Sequence, residues 1–205
     1  LNKPELYESL FRTLITDWRE KWGMGDLPFL YVQLPNYSDP SNIPTESQWA
    51  ELREAQRKTL VVPMTGMAVA IDIGESNDIH PVNKKDIGNR LALAAQRVAY
   101  KDVKVVSSGP LFQFAEKIGN RMILHFLNTG GGLVTNNGGA LRHFALTGAH
   151  QPFLWANARI ENDCVVVWHE EIPDPVQVRY GWADNPDTAN LYNREGFPAS
   201  PFSTE

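Results

Sequence analysis

The stretch Met67-Ala68-Val69-Ala70-Ile71-Asp72-Ile73, which runs through Gly74-Glu75-Ser76 into Asn77-Asp78-Ile79-His80-Pro81-Val82-Asn83-Lys84, decides how the chain is read. A short apolar run closed by glycine predicts a buried strand over 67–73. The segment from Lys84 to Tyr100 predicts a helix, with Ile87, Leu91, Ala94, Ala95 and Val98 on its buried face. Between the two, Asp78 and His80 lie on a loop leaving a buried strand. In open α/β sheets sites form outside the carboxyl ends of the strands, so the pair is a candidate for chemistry. The alternative is a turn whose histidine is only a surface residue.

Upstream, residues 3 to 22 predict a helix, with Asn2 suited to its cap and Pro4 to its first turn. Leu6, Leu10, Leu14 and Trp18 recur every four residues, with Phe11 and Ile15 beside them, forming a broad apolar stripe. Gly23 and Gly25 stop it. Leu27 to Leu34 predicts a short buried strand ended by Pro35. Gln33 within it reads as a hydrogen-bonded structural residue, with a substrate contact as the alternative. After a loop over 36–45, Thr45 or Ser47 starts a helix of about 46–59. That helix places Trp49, Leu52 and Gln56 on one face and Arg53 and Glu54 in solvent, with Arg53 reaching a site as the alternative. Helices alternating with short buried strands predict a mostly parallel sheet covered by helices. Two parallel strands bury little core, however, so this half is expected to be incomplete, with further strands upstream in a parent protein.

The character changes near residue 102. Runs rich in Val, Ile, Phe and Trp follow, at Met122–Leu127, Leu141–Leu146, Phe153–Ile160, Cys164–Trp168 and Val176–Trp182. Turns separate them, at Gly119-Asn120, Gly130-Gly131-Gly132, Asn136-Asn137-Gly138-Gly139, Asn162-Asp163 and Pro173-Asp174-Pro175. Such spacing predicts an antiparallel β-sandwich. The expected organisation is an α/β part over 1–101 and a β-sandwich over 102–205, the latter with an ordered tail carrying Tyr192, Phe197 and Phe202.

The totals limit the function classes. The chain has 205 residues and a net charge of −5, with no basic block, so no nucleic-acid partner is suggested. Its apolar runs are far shorter than a membrane span, so no membrane partner is expected. The one cysteine, Cys164, forbids an intrachain disulfide. Zinc-ligand spacing, a P-loop and a dinucleotide fingerprint are all lacking. His125, His143, His150 and His169 read as strand or loop residues. Trp155, Trp168 and Trp182 read as sandwich core, with a sugar platform as the alternative. The chain opens at Leu1 without a charged-then-apolar leader, which implies a removed signal or a piece of something longer.

Several ordered blocks resemble the sialate O-acetylesterase family. They are Leu10-Phe11 through Asp17-Trp18-Arg19, Leu27 to Leu34, Trp49 to Gln56, Ala70 to Gly74, Asp78 to Lys84 and Gly88-Asn89-Arg90-Leu91-Ala92. Gly109-Pro110-Leu111, Tyr180 to Pro186, Asn190 to Asn193 and Gly196 to Phe202 complete them. The resemblance implies the carboxyl-terminal part of an SGNH-hydrolase domain, a flavodoxin-like three-layer α/β fold, followed by the sandwich. It implies a serine esterase that removes O-acetyl groups from sialic acids, with acetylated xylan or other glycans as the alternative substrates. No metal or organic cofactor is implied. The implied location is secreted, periplasmic or lysosomal.

By the same resemblance, His80 matches the general base and Asp78 its acidic partner. Many SGNH enzymes place the acid three residues before the histidine, where this chain has Asn77. A dyad with a backbone carbonyl holding His80 is the alternative. The family's Gly-Gln-Ser-Asn block, which carries the nucleophile, and its Gln-Gly-Glu-Ser-Asn block are both missing from their expected places. Gly74-Glu75-Ser76-Asn77 mimics one of them but lies in the wrong block. The expectation is therefore a segment that brings the His/Asp part of the site, while the nucleophile comes from the upstream part of the parent chain. A rival of another class is a non-catalytic carbohydrate-binding or structural module whose working part is the β half.

Overall fold

The computed structural model describes residues 3–205. Asn2, the expected helix cap, lies outside the described residues. A 3-10 turn at Pro4–Leu6 leads into α1, Tyr7–Trp22, closed by Gly23 in the left-handed conformation (φ 66°) with its N–H on Arg19 O. Next come β1 (Phe29–Val32), α2 (Gln48–Lys58), β2 (Thr65–Ala68) and α3 (Lys84–Val98). Side-chain oxygens cap both later helices: Ser47 Oγ accepts from Ala50 N and Asn83 Oδ1 from Asp86 N.

β1 and β2 form a two-stranded parallel sheet, in register from Phe29 opposite Thr65 to Val32 opposite Ala68. The strand expected over 67–73 therefore starts earlier and stops at Ala68. Past that point no described strand lies alongside it to accept pairing. Val69, Ala70 and Ile71 remain buried but leave the ladder, and the chain turns with Ile73 N on Ala70 O. The apolar pattern reported burial there, not hydrogen bonding.

Two further expectations for this half need correction. Arg53 and Glu54 are buried, at 0% and 5% exposure, rather than solvated. Arg53 runs inward and gives its guanidinium N–H groups to the carbonyls of Leu34, Pro35, Ala183 and Asp184 at 2.7–2.9 Å. Glu54 is covered because Arg57 grips both its oxygens, at 2.6 and 2.7 Å. The i, i+4 stripe of Leu6, in the 3-10 turn, and Leu10, Leu14 and Trp18, on α1, is exposed by 40–64%. The buried contacts come instead from the adjacent residues, Ile15 and the partly buried Phe11.

Residues beyond 110 form ten strands: β3 (Leu111–Ile118), β4 (Arg121–Leu127), β5 (Leu133–Thr135), β6 (Phe144–Gly148), β7 (Leu154–Trp155), β8 (Asn157–Glu161), β9 (Cys164–Trp168), β10 (Pro175–Tyr180), β11 (Leu191–Asn193) and β12 (Phe202–Ser203). Two antiparallel four-stranded sheets, ordered β3-β4-β9-β8 and β12-β10-β6-β7, close over one apolar core. Met122, Leu124, Val165 and Val167 meet Phe144, Leu146, Val178, Tyr180 and Phe202 there. β11 pairs with β5 as a small third sheet. Of the tryptophans, Trp182 is buried, while Trp155 and Trp168 are partly exposed.

The tail does more than pack on these sheets. It also reaches back to the helical region. Gln33 Nε2 donates to Ser200 Oγ at 2.8 Å and to the Arg53 carbonyl at 3.0 Å, so its amide nitrogen is paired as expected, while its Oε1 is buried without a partner. Ser47 Oγ donates to Asp184, and Asn36 bonds Asn185.

Candidate functional site

The β2–α3 connection lies at the carboxyl end of the parallel pair, and four fastenings shape it. Arg90, on α3, points back to the strand end. Its guanidinium bonds both oxygens of Asp72 (2.6 and 2.7 Å) and the Val69 carbonyl (2.6 Å). Burial acts to lower the Arg90 pKa, but the Asp72 carboxylate outweighs it and the net direction is upward. Tyr192 OH, from β11, donates to Asp72 Oδ2 at 3.1 Å, and burial together with that carboxylate pushes the phenol up. Further along, Gly74 N–H donates to Asn36 Oδ1 at 2.6 Å. Finally Glu75 Oε1 accepts the Val82 N–H at 3.0 Å and so closes the loop upon itself.

At the tip, Asp78 turns its carboxylate back over the chain. Oδ1 accepts the His80 backbone N–H at 2.8 Å and lies 3.3 Å from His80 Nδ1. The two sequence-identified residues are thus brought together. The donated N–H and the nearby imidazole hold the Asp78 carboxyl below its ordinary value. The imidazole itself is 84% exposed, which leaves its Nε2 edge open. With Nδ1 turned to a carboxylate, the free nitrogen is the one able to take a proton from a hydroxyl brought to it. Asn77 is exposed at the same tip, with no hydrogen bond or ion pair to its side chain.

Sequence reasoning did not single out Asp72, Arg90, Asn36, Asn185 or Tyr192 as parts of this architecture. Apart from Asn36, these residues do fall inside the blocks quoted above for the family resemblance, which was a signal that they serve the same unit as His80.

Elsewhere, His125 stands between Cys164 Sγ (3.4 Å from Nδ1) and Glu116 (3.5 Å from Nε2), stacked against Phe114 at 4.3 Å. Burial and the nearby carboxylates push the Cys164 thiol up. No group of three or more His, Cys, Asp or Glu side chains able to hold a metal ion occurs among the described residues.

Known proteins are similar to parts of this chain. The chain is 31% identical to mouse sialate O-acetylesterase over 137 residues, which is 59% of this chain and 25% of that protein. It is 30% identical to the human sialate O-acetylesterase over 138 residues, 59% of this chain and 26% of that one. No family model matches the sequence. Among solved structures, a carbohydrate acetylesterase from Xanthomonas citri superposes with a TM-score of 0.92 at 47% identity, covering 97% of this chain and 46% of that chain. The chain thus spans about a quarter of the curated relatives and under half of the solved one. Along the part of those proteins that it matches, the chain is similar to sialate O-acetylesterases and to a carbohydrate acetylesterase.

Proposed function

We propose that this chain is the histidine-bearing, carboxyl-terminal part of an SGNH-type serine esterase that removes acetyl groups from glycans. The carrying observation is the Asp78–His80 pair at the carboxyl end of the parallel strands, with Nδ1 on the carboxylate and Nε2 open. In this reading a serine from the upstream part of the parent protein attacks the acetyl carbonyl. His80 Nε2 takes the hydroxyl proton and returns it to the departing sugar oxygen. Water then attacks the acetyl-serine, again giving its proton to His80, and acetate leaves as serine is restored. Asp78 holds the imidazole tautomer and stabilises its protonated form. The exposed face of α1 and the two-stranded sheet are where the missing layers of the catalytic fold would dock.

The names of the curated relatives favour O-acetylated sialic acid as substrate. The solved relative is the more similar in sequence and is described only as acting on carbohydrate, which supports a second reading, acetylxylan or another acetylated glycan. Assay of the full-length protein on both classes separates the two.

The test of the site is His80→Ala in the full-length protein, with an aryl acetate as reporter. Turnover should fall by roughly three to six powers of ten, as loss of a triad histidine does. Near-normal activity would remove His80 from the site. The 205-residue chain alone should not exceed background; turnover that Ser76→Ala abolishes would place a nucleophile at the 74–77 string instead.

A further inference from the structure

The candidate base loop is gripped by a residue far away in the chain. Asn185, in the segment that follows β10, is 3% exposed, and Asn36, just past β1, is 7% exposed. Asn185 Nδ2 donates to the Ser38 carbonyl at 2.6 Å, and its Oδ1 accepts from Asn36 Nδ2 at 2.9 Å. Asn36 Oδ1 in turn accepts the Gly74 N–H at 2.6 Å. Ser38 N–H adds a bond to Ser76 O at 3.0 Å.

The ends of this relay fix its sense. The Ser38 carbonyl can only accept and the Gly74 amide can only donate, so flipping either asparagine would set oxygen against oxygen or N–H against N–H. The contact is also close: a Cβ on Gly74 would sit 2.0 Å from the Asn36 carbonyl oxygen. Residues 36–38 therefore hold 74–76 at two points, and Asn185 holds 36 and 38 together. Only a few residues separate that anchor from Asp78 and His80, both exposed.

We infer that Asn185, acting through Asn36, is a positioning residue for the His80 loop, so that the segment beyond β10 takes part in the esterase site. The inference rests on the reading of His80 as general base. A mispositioned base loses rate rather than substrate affinity. In the full-length protein, Asn185→Leu should lower kcat roughly 10- to 100-fold and leave KM within about twofold. Asn185→Asp keeps the acceptor for Asn36 but sets a carboxylate oxygen against the Ser38 carbonyl, so it too should lower kcat, by about tenfold.

The two readings fail separately. If His80 is not the base, His80→Ala leaves turnover intact whatever Asn185 does. If His80 is the base and Asn185 positions it, Asn185→Leu added to His80→Ala lowers the rate no further, because members of one catalytic unit are not additive. A second readout needs only the 205-residue chain. The Gly74 amide should exchange slowly with solvent, and at least about tenfold faster in Asn185→Asp, while the Leu146 and Val165 amides are unchanged. Folded variants with kcat within about twofold of the parent, or a Gly74 amide that exchanges at the unprotected rate in the unaltered chain, would overturn the proposal.

Discussion

The helical region (residues 3–98) and the strand-rich region (residues 111–205) differ in how far each closes on itself. The strand-rich region buries a contiguous core drawn from both four-stranded sheets, in which Leu124, Leu146, Val165, Val167 and Phe202 reach 0% exposure. The helical region has a smaller core around Tyr31, Met67, Val69 and Ile71. It also leaves Leu10, Leu14, Trp18 and Trp22 at 40–65% exposure. Beside them a groove of about 360 Å³ runs between Trp18 and Leu27–Leu30. Contiguous exposed apolar surface of this kind marks an interaction face. The region carrying the candidate chemistry is thus the less self-sufficient one. It is also held by polar side chains and carbonyls of the other region.

The sharpest way to break that picture is at Arg53. Its guanidinium joins the end of β1 to Ala183 and Asp184 within a fully buried site. Burial pulls its pKa down, to about 9, with Asp184 opposing, so it remains a cation at neutral pH. Arg53→Met keeps apolar volume and strands four carbonyls. Each charge-assisted bond is worth about 1.5–3 kcal/mol, with entering water recovering part, so the expected loss of stability is about 4 kcal/mol by urea denaturation. A loss under about 1 kcal/mol would mean that the two regions do not depend on this joint.

A matched pair of leucines sharpens the contrast further. Leu124 on β4 is 0% exposed and Leu14 on α1 is 40% exposed. Leu124→Ala should cost about 3 kcal/mol, through lost burial and the cavity left behind. In this chain Leu14→Ala should change stability by no more than about 0.5 kcal/mol. In the full-length protein the same Leu14→Ala should cost about 2 kcal/mol, if upstream layers cover α1 there. Equal, small effects in both settings would leave the face without a cover.

Much of this was legible in the residues, and the limits are physical. Ser47, one of the two residues read as a start for the second helix, is its cap, because capping is a local hydrogen bond. The turn residues placed the breaks between strands because positive φ and fixed φ are local demands, and Gly119, Gly130, Gly138, Asn162 and Asp163 all take positive φ. The stripe on α1 was visible as a pattern, but periodicity cannot say what covers a face. Arg53 was misplaced for the opposite reason: a charge on a helix defaults to solvent unless partners are known. Its partners at Ala183 and Asp184 lie far along the chain. The Asp78–His80 pair was legible because both ends of the contact sit on one loop, whereas the Asn185–Asn36–Gly74 relay joins three separate segments and left no local signature.

The smallest expected effect concerns pH and lies in the strand-rich region. His143 sits just before β6 in the left-handed conformation (φ 61°), edge-on to Trp155 at 5.4 Å, with Nε2 2.8 Å from Thr188 Oγ1. Its Nδ1 is buried without a partner. Burial lowers its pKa from the ordinary 6.5; Asp187 opposes that and Arg142 assists it. The unfolded chain therefore takes up this proton at a higher pH than the folded one. The contribution to stability is intact above about pH 6.5 and declines as the pH falls through that value toward the folded pKa. Asparagine tolerates the left-handed backbone and does not titrate. His143→Asn should therefore flatten the fall in Tm between about pH 7 and pH 5, by a few degrees at most. If His143→Asn leaves the slope unchanged, the pH sensitivity of the closed core does not come from this histidine.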